Sequence, residues 1–486
     1  MSAAIHAARL HDPFTMPGHN LLVLSDVHLG SDLVQHARPD APPRSDASFR
    51  RDRELVALLD WYRERPKGQR AWRLVVAGDL VDFVGMSVSV GDTVLETAQN
   101  DEEMLHGLGS SSDHTVAKLA RVGSHHADVF AAMARFVSGD NELVIVRGNH
   151  DVDFHWPAVQ SAFRALLVGH GADAGCVTFS DWFYYEENVV FVEHGHQYDA
   201  YCAYDHVLCP VRPSDPRRTL RSLADVLLRY VVRPTRGMSE GGHDHASAID
   251  YVRFGLRLGA RGVLGLGSRF AVAVGALLGT WREHMSEASG WMRTEHERKL
   301  ALLAGVTKLS LAELRALMSL QRAPVTRSLF HLLAGVMIDR VAFALFAAVA
   351  IIALLIAPWT LGLGIGVLVS LALLVPAAWA WRRVRGTIDA SDALRERASR
   401  VAALLPTAFV VMGHTHLPEM RAAGRSDRTY VNLGAWAEEE EQALDDSKAP
   451  PRQASRTHLV VEIDGEGPRA ELLRWDAALG PTRFEA

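Results

Sequence analysis

Five short apolar runs, each stopped abruptly by polar residues, organise the chain. Leu21–Leu24 ends in Ser25-Asp26, Arg73–Ala77 in Gly78-Asp79, and Leu143–Val146 in Arg147-Gly148-Asn149. Val189–Val192 ends in Glu193-His194, and Ala408–Met412 in Gly413-His414. Runs this short, rich in Val and Leu, predict buried strands. Arg50–Arg65, Val116–Val137 and Pro157–Val168 predict helices between them, and the polar, mixed stretch 86–115 predicts a long surface loop or cap. This alternation indicates an α/β or sandwich-type enzyme.

From about Asp205 the pattern changes to helix after helix: Arg217–Val232, Ser247–Arg261, Arg282–Ala304 and Ser310–Gln321. Strands return after Thr407, at 429–433, 457–463 and 470–475. The simplest parse is a leader at 1–18 and one catalytic domain in two parts, 19–204 and 405–486, split by an all-α insertion at 205–404. Glu438–Glu441 and Asp445-Asp446 predict a solvated acidic loop. His243-Asp244-His245 has metal-like spacing but sits in a Gly-rich loop, also predicted to be solvated.

Within the insertion, Val341–Trp381 runs for 41 residues without a charged side chain, interrupted at Pro358-Trp359. A hydrocarbon core of about 30 Å takes roughly 17–25 helical residues to cross. Each half is just long enough, which predicts a transmembrane hairpin turning at Pro358. Arg340 precedes it and Arg382, Arg383 and Arg385 follow, an arginine excess that puts both ends, and the catalytic domain, on the cytoplasmic side. Gly362, Gly364 and Gly366 fit helix packing better than a nucleotide loop. Arg217–Val232 is either an interfacial helix or a core helix.

Composition agrees with an anchored intracellular enzyme. Among 486 residues, 48% are hydrophobic and the formal net charge is −6. That balance, with no basic aromatic-laced groove, argues against a nucleic-acid partner. Residues 205–340 hold 20 Lys/Arg against 12 Asp/Glu, a local +8 suited to anionic headgroups, which leaves −14 for the rest. Three cysteines, Cys176, Cys202 and Cys209, fit a reducing compartment better than a disulfide framework, with a Cys202–Cys209 pair as the alternative. The N-terminus lacks the pattern of an export signal.

The chemistry lies where the strands stop. Asp26-Val27-His28, Gly78-Asp79-Leu80-Val81-Asp82, Gly148-Asn149-His150-Asp151, His194-Gly195-His196 and Gly413-His414-Thr415-His416 offer oxygen and imidazole donors. Such donors suit Mn, Fe or Zn. At a strand end, residues i and i+2 project to one side, so Asp26 and His28 can reach one ion together. Asp79 is placed to bridge two ions through its two oxygens. His194 is preferred to His196 as a ligand because it follows its strand directly; His196 could line a substrate pocket.

This order of motifs resembles that of the calcineurin-like metallophosphoesterase family: D-x-H, G-D-x-x-D, G-N-H-[DE], a His motif, then G-H-x-H. The resemblance covers roughly 20–204 and 405–440. It implies a four-layer α-β-β-α sandwich with two divalent metal ions, manganese first and iron or zinc as alternatives. One ion would be held by Asp26, His28, Asp79 and His416, the other by Asp79, Asn149, His194 and His414. It further implies that a metal-activated water attacks phosphorus while His150, held by Asp82, protonates the leaving oxygen. Asp151 would orient the same loop or meet substrate.

A helical insert between the fourth and fifth motifs also resembles the arrangement in UDP-2,3-diacylglucosamine pyrophosphatases. That likeness implies a lipid-linked diphosphate as substrate. In those enzymes Arg follows the third-motif Asn, where this chain has His150, and the insert here is much larger. The expectation is a membrane-anchored phosphoesterase whose partners are membrane lipids and an amphipathic phosphoester. An anchored enzyme for soluble substrates, or a non-catalytic receptor keeping the fold, are the alternatives.

Overall fold

The computed structural model describes residues 18–33, 46–65, 70–89, 94–235, 248–285, 290–335, 390–424, 427–437 and 454–485. The leader before Gly18, the His243-Asp244-His245 loop, the hairpin at 341–381 and the acidic loop from Glu438 lie outside the described residues.

Strands β1 (Asn20–Leu24), β2 (Trp72–Ala77), β3 (Glu142–Val146) and β4 (Val177–Ser180) run parallel, with Leu22 opposite Leu74 and Leu74 opposite Leu143. A second group comprises β5 (Phe183–Glu186), β6 (Val190–Glu193), β7 (Phe409–Met412), β8 (Glu419–Ala422) and β9 (Thr429–Asn432). The last strands are β10 (Thr457–Asp464), β11 (Gly467–Asp476) and β12 (Gly480–Arg483). Two mixed sheets result, ordered β12-β11-β10-β1-β2-β3-β4 and β5-β6-β7-β9-β8.

The helices, in chain order, begin with α1 (Asp46–Glu64), α2 (Asp101–His106), α3 (Ser112–His125), α4 (Ala127–Phe136) and α5 (Pro157–Gly169). They continue with α6 (Leu223–Leu227), α7 (Ala248–His284), α8 (Gly290–Thr307), α9 (Leu311–Leu320), α10 (Leu329–Gly335) and α11 (Ser391–Leu404).

Every position of β1 and β2 is buried, because both faces of their sheet are covered. Val23, Val75 and Val144 meet Val192, Val411 and Val431 between the sheets. Leu22, Leu74 and Leu143 face the opposite way, onto Leu58, Leu119, Phe130 and Phe163 of α1, α3, α4 and α5. On the outer face of the second sheet, Phe191, Val410 and Met412 meet Leu300 of α8, Leu314 and Leu317 of α9, and Leu394 and Val401 of α11. The layers run helices, sheet, sheet, helices, consistent with the expected sandwich, and α8 and α9 of the insertion form part of its outer layer.

Several local expectations are corrected. The stretch 86–115 is only in part a surface loop or cap: Val94, Met104 and Leu105 are exposed, but Met86, Val88 and Leu108 are buried, α2 forms within it, and α3 begins at its end. The helix expected at 116–137 is two, joined at His126, whose ring is tied to Asp52 and Gly30. In 217–232 only Leu223–Val232 is helical, its last five residues as a π-turn, and Leu228, Arg229, Tyr230 and Val231 are buried. That segment is a core element. All three cysteines are free thiols.

α7 continues well past Arg261, where the sequence had ended a helix, with a break at Gly259 (φ 65°, ψ 175°). Among the described residues, Leu258–His284 is the one stretch long and apolar enough to cross a membrane by length and composition, and only 11% of its most apolar window is buried.

Candidate metal centre

Because β1, β2 and β3 are parallel neighbours, and β6 and β7 likewise, the segments that follow them leave each sheet at one edge. The two edges meet. The Asp26 amide donates to the Gly78 carbonyl (3.2 Å), the Gly413 amide to the His194 carbonyl (2.9 Å), and the His414 amide to Asp26 Oδ2 (3.2 Å). Eight non-glycine residues among those described have positive φ, and five are expected ligands: Asp26, His28, Asp79, His414 and His416. A left-handed L-residue costs about 1–2 kcal/mol, so this concentration of strain marks a functional site.

The side chains converge. Asp26 Oδ1 lies 3.1 Å from His416 Nε2 and 3.9 Å from His28 Nε2. Asp79 Oδ2 stands between two imidazoles, 3.7 Å from His28 Nε2 and 3.2 Å from His194 Nε2. His194 Nε2 also lies 3.1 Å from Asn149 Oδ1, and the rings of His194 and His414 are 5.3 Å apart. His194 Nδ1 is 2.9 Å from the Ala77 carbonyl, which only accepts, so Nδ1 carries a proton and Nε2 is the ring nitrogen turned toward Asp79. His28 Nε2 is buried with no hydrogen-bond partner, an orphaned donor atom of the kind a cation satisfies.

The electrostatics agree. Burial opposes the charge on Asp79, but His194 and His150 hold it well below the usual carboxylate range. Burial likewise opposes charge on His194, yet Asp79 and Asp26 raise it to about 9. For His28 burial dominates, with His150 adding to it, and the ring falls to about 4, a neutral imidazole ready to ligate.

Residues 19–245 match the family model of the calcineurin-like phosphoesterases. The chain carries a calcineurin-like phosphoesterase domain. It is therefore a metal-dependent phosphoesterase, and its His/Asp clusters are candidate sites for the metal ions that this family binds. No curated protein matches the chain, and the narrower likeness to UDP-2,3-diacylglucosamine pyrophosphatases gains no support. The matched span includes Asp26 to His194 but not His414 or His416, which the fold brings back to the same place.

Beside the phosphoesterase donors, His150 Nδ1 lies 2.9 Å from Asp82 Oδ1, and the ring, 14% exposed, packs edge-on to His28 at 4.6 Å. Asp82 is fully buried. Its Oδ1 also accepts the Gly85 amide (2.7 Å), and its Oδ2 accepts from Arg233 of the insertion (3.1 Å).

The two expected substrate contacts, Asp151 and His196, are both buried. Both oxygens of Asp151 are taken, by the amides of Gly148 (2.6 Å) and Leu80 (2.8 Å), and the side chain is fully buried. Asp151 is a strut joining two ligand loops. His196 is only 4% exposed, with Nε2 against Gln197 Nε2 at 3.0 Å, so it supports the loop from within.

Three residues escaped sequence reasoning. Asp199 Oδ2 lies 3.1 Å from His414 Nε2, although Asp199 belongs to no strand-end motif. Arg233 reaches Asp82 from 151 residues away. Arg51, buried in α1, donates to the carbonyls of His28 (3.0 Å) and Val27 (3.3 Å), bracing the backbone that carries a ligand. A buried-helix Arg followed by Asp was the only hint of that brace.

Asp32, His125 and His126 form a further cluster. It is poorly suited to a metal: His126 Nε2 accepts the Gly30 amide (3.0 Å), and Nδ1 is bonded to Asp52 (2.6 Å). Both ring nitrogens are spent on holding the loop after His28.

Proposed function

We propose that the protein is a membrane-anchored dinuclear phosphoesterase that hydrolyses a phosphodiester or diphosphate bond, with a lipid-linked substrate presented at the cytoplasmic face. The observation that carries the dinuclear reading is Asp79 Oδ2, flanked by His28 Nε2 at 3.7 Å and His194 Nε2 at 3.2 Å. One ion would rest on Asp26, His28, Asp79 and His416, the other on Asp79, Asn149, His194 and His414. When bound, a pair of such ions supplies Lewis acidity and a water ionised near neutral pH.

The chain's own residues supply the rest. Asp82 holds His150 through Nδ1, which turns Nε2 outward as the group that would protonate the leaving oxygen. Arg233 takes the other oxygen of Asp82 and leaves the bond to His150 undisturbed.

Support for a lipid surface comes from the insertion. Val263, Leu264 and Val272 of α7 are 45%, 75% and 46% exposed. The uncharged segment Val341–Trp381, with arginines at both ends, adds the composition of an anchor.

The test is turnover by Mn-loaded protein in micelles, with a lipid-linked diphosphate and a soluble chromogenic diester as competing substrates and Asn149→Ala as control. The lipid-linked substrate should be strongly preferred, and Asn149→Ala should be inactive on both. Efficient cleavage of the soluble diester alone sinks the lipid assignment. Equal activity of Asn149→Ala sinks the site.

A further inference from the structure

The two imidazoles assigned to the second ion meet different acceptors through different nitrogens. His194 gives Nδ1 to the Ala77 carbonyl and keeps Nε2 for ligation. His414 does the reverse, with Nε2 3.1 Å from Asp199 Oδ2. A carboxylate has no proton to donate, so this hydrogen bond requires the His414 proton on Nε2. Nδ1 is then the ring's sole lone pair.

Asp199 is built to hold that position. It follows the 3-10 turn His196–Tyr198. Its Oδ1 accepts the Tyr201 amide (2.9 Å), and its carbonyl accepts the amides of Cys202 (3.1 Å) and Ala203 (2.8 Å). Side chain and backbone are thus fixed within one turn, and Oδ2 is the oxygen left to face His414. His414 is fixed too, with φ 71° and its amide on Asp26 Oδ2. Cys202 stands in the same cluster and is buried.

We propose that Asp199 is the positioning residue of the second cation site: it locks His414 with the proton on Nε2 and Nδ1 toward the ion, the opposite tautomer to His194. The inference rests on the dinuclear reading above. Partners of this kind commonly alter metal affinity by about 10–100-fold.

The experiment uses the full chain in detergent, stripped of metal and titrated with Mn²⁺ against a chromogenic chelator. Asp199→Ala should bind the second equivalent about 10–100-fold more weakly, with the first equivalent and the melting temperature of the metal-free protein little changed. Asp199→Asn keeps an acceptor oxygen and should recover part of that affinity. In ¹⁵N-histidine spectra of Zn²⁺-loaded wild type, His414 should be protonated at Nε2 and metallated at Nδ1. Wild-type affinity for both equivalents in Asp199→Ala, or His414 metallated at Nε2, overturns the proposal. A wild type that takes up a single ion overturns the dinuclear reading instead.

Discussion

Gly148→Ala tests the geometry of the centre with a single methyl group. Gly148 does not have positive φ, so alanine meets no backbone objection there, and the whole effect must come from space. A Cβ at this position would lie 2.7 Å from the Asp79 amide nitrogen and closer still to Asp79 Oδ1. Neither side can retreat. The Asp79 carbonyl accepts the amides of Val27 (3.0 Å) and His28 (2.9 Å), and Oδ1 accepts the His150 amide (2.9 Å). Gly148 is itself pinned by Asp151 at 2.6 Å.

Overpacking a tight site costs about 1–3 kcal/mol. Displacing the carboxylate from the His150 amide adds about 1.5–3 kcal/mol for a hydrogen bond to a charged group. The expected loss is therefore about 2.5–6 kcal/mol if both occur, together with a fall of at least about tenfold in affinity for both ions if Asp79 is shared between them as proposed. Chelator competition with Mn²⁺ and thermal melting measure the two effects. Gly169→Ala, at the end of α5 with open space around it, is the control and should lie within about 0.5 kcal/mol of wild type. If Gly148→Ala binds two ions with native affinity and melts with the wild type, the close approach of the two loops is wrong.

Metal removal should destabilise the protein: each site filled at about 100 times its Kd contributes about 2.7 kcal/mol, so chelation should lower the melting temperature and re-addition restore it. Asp82→Asn should reduce kcat by about 10²–10⁴ with both ions retained, read by kinetics beside metal analysis, because His150 loses the carboxylate that orients it. Lys118 is fully buried, and burial lowers its ammonium to about 7, with the Phe83 carbonyl as acceptor at 2.9 Å. The unfolded chain then binds the extra proton between pH 7 and the ordinary lysine value near ~10.4, so stability should rise with pH across that window, by at most roughly 4 kcal/mol. Lys118→Met should flatten this rise in melting curves at pH 7 and pH 10, and a rise of unchanged size would refute the assignment.

The strands that read clearly from sequence are those buried on both faces, where a run such as Leu21–Leu24 has no polar position to interrupt it. β8, Glu-Met-Arg-Ala on a sheet edge, alternates over only four residues, and β12, which begins Gly-Pro, has neither alternation nor an apolar run, because an edge strand is specified by its neighbour more than by itself. α7 was missed beyond Arg261 for a different reason. Gly262, Gly265, Gly267, Gly275 and Gly279 lower helix propensity in water by about 1 kcal/mol each relative to Ala, and single-sequence reasoning weighs that penalty without the surroundings that offset it. The residues that the fold gathers at the centre were legible because they sit just past strand ends. Asp199, Arg51 and Arg233 were not, since each acts on a ligand or its partner through a contact that only the folded chain creates.

That distinction decides how the proposed anchor should be tested. Every donor expected at the centre comes from the sandwich, yet the insertion braces residues around it. Arg233 holds Asp82, and Tyr204, at the insertion's threshold, links Asp225 (3.0 Å) to the Asn149 carbonyl (3.4 Å). Leu300, Leu314 and Leu317 cover the second sheet. Deleting 205–404 would strip those supports and expose the sheet, so lost activity would say nothing about lipid. Deleting 341–381 removes the uncharged segment and leaves Arg233, α8 and α9 in place. The shortened protein should hold the membrane less firmly, with any remaining association resting on the exposed face of α7, while keeping two ions and its turnover of a soluble diester to within about threefold, well short of the 10²–10⁴ expected for losing acid–base catalysis. Loss of bound metal on that deletion would show that the segment belongs to the site, and refute its role as an anchor alone.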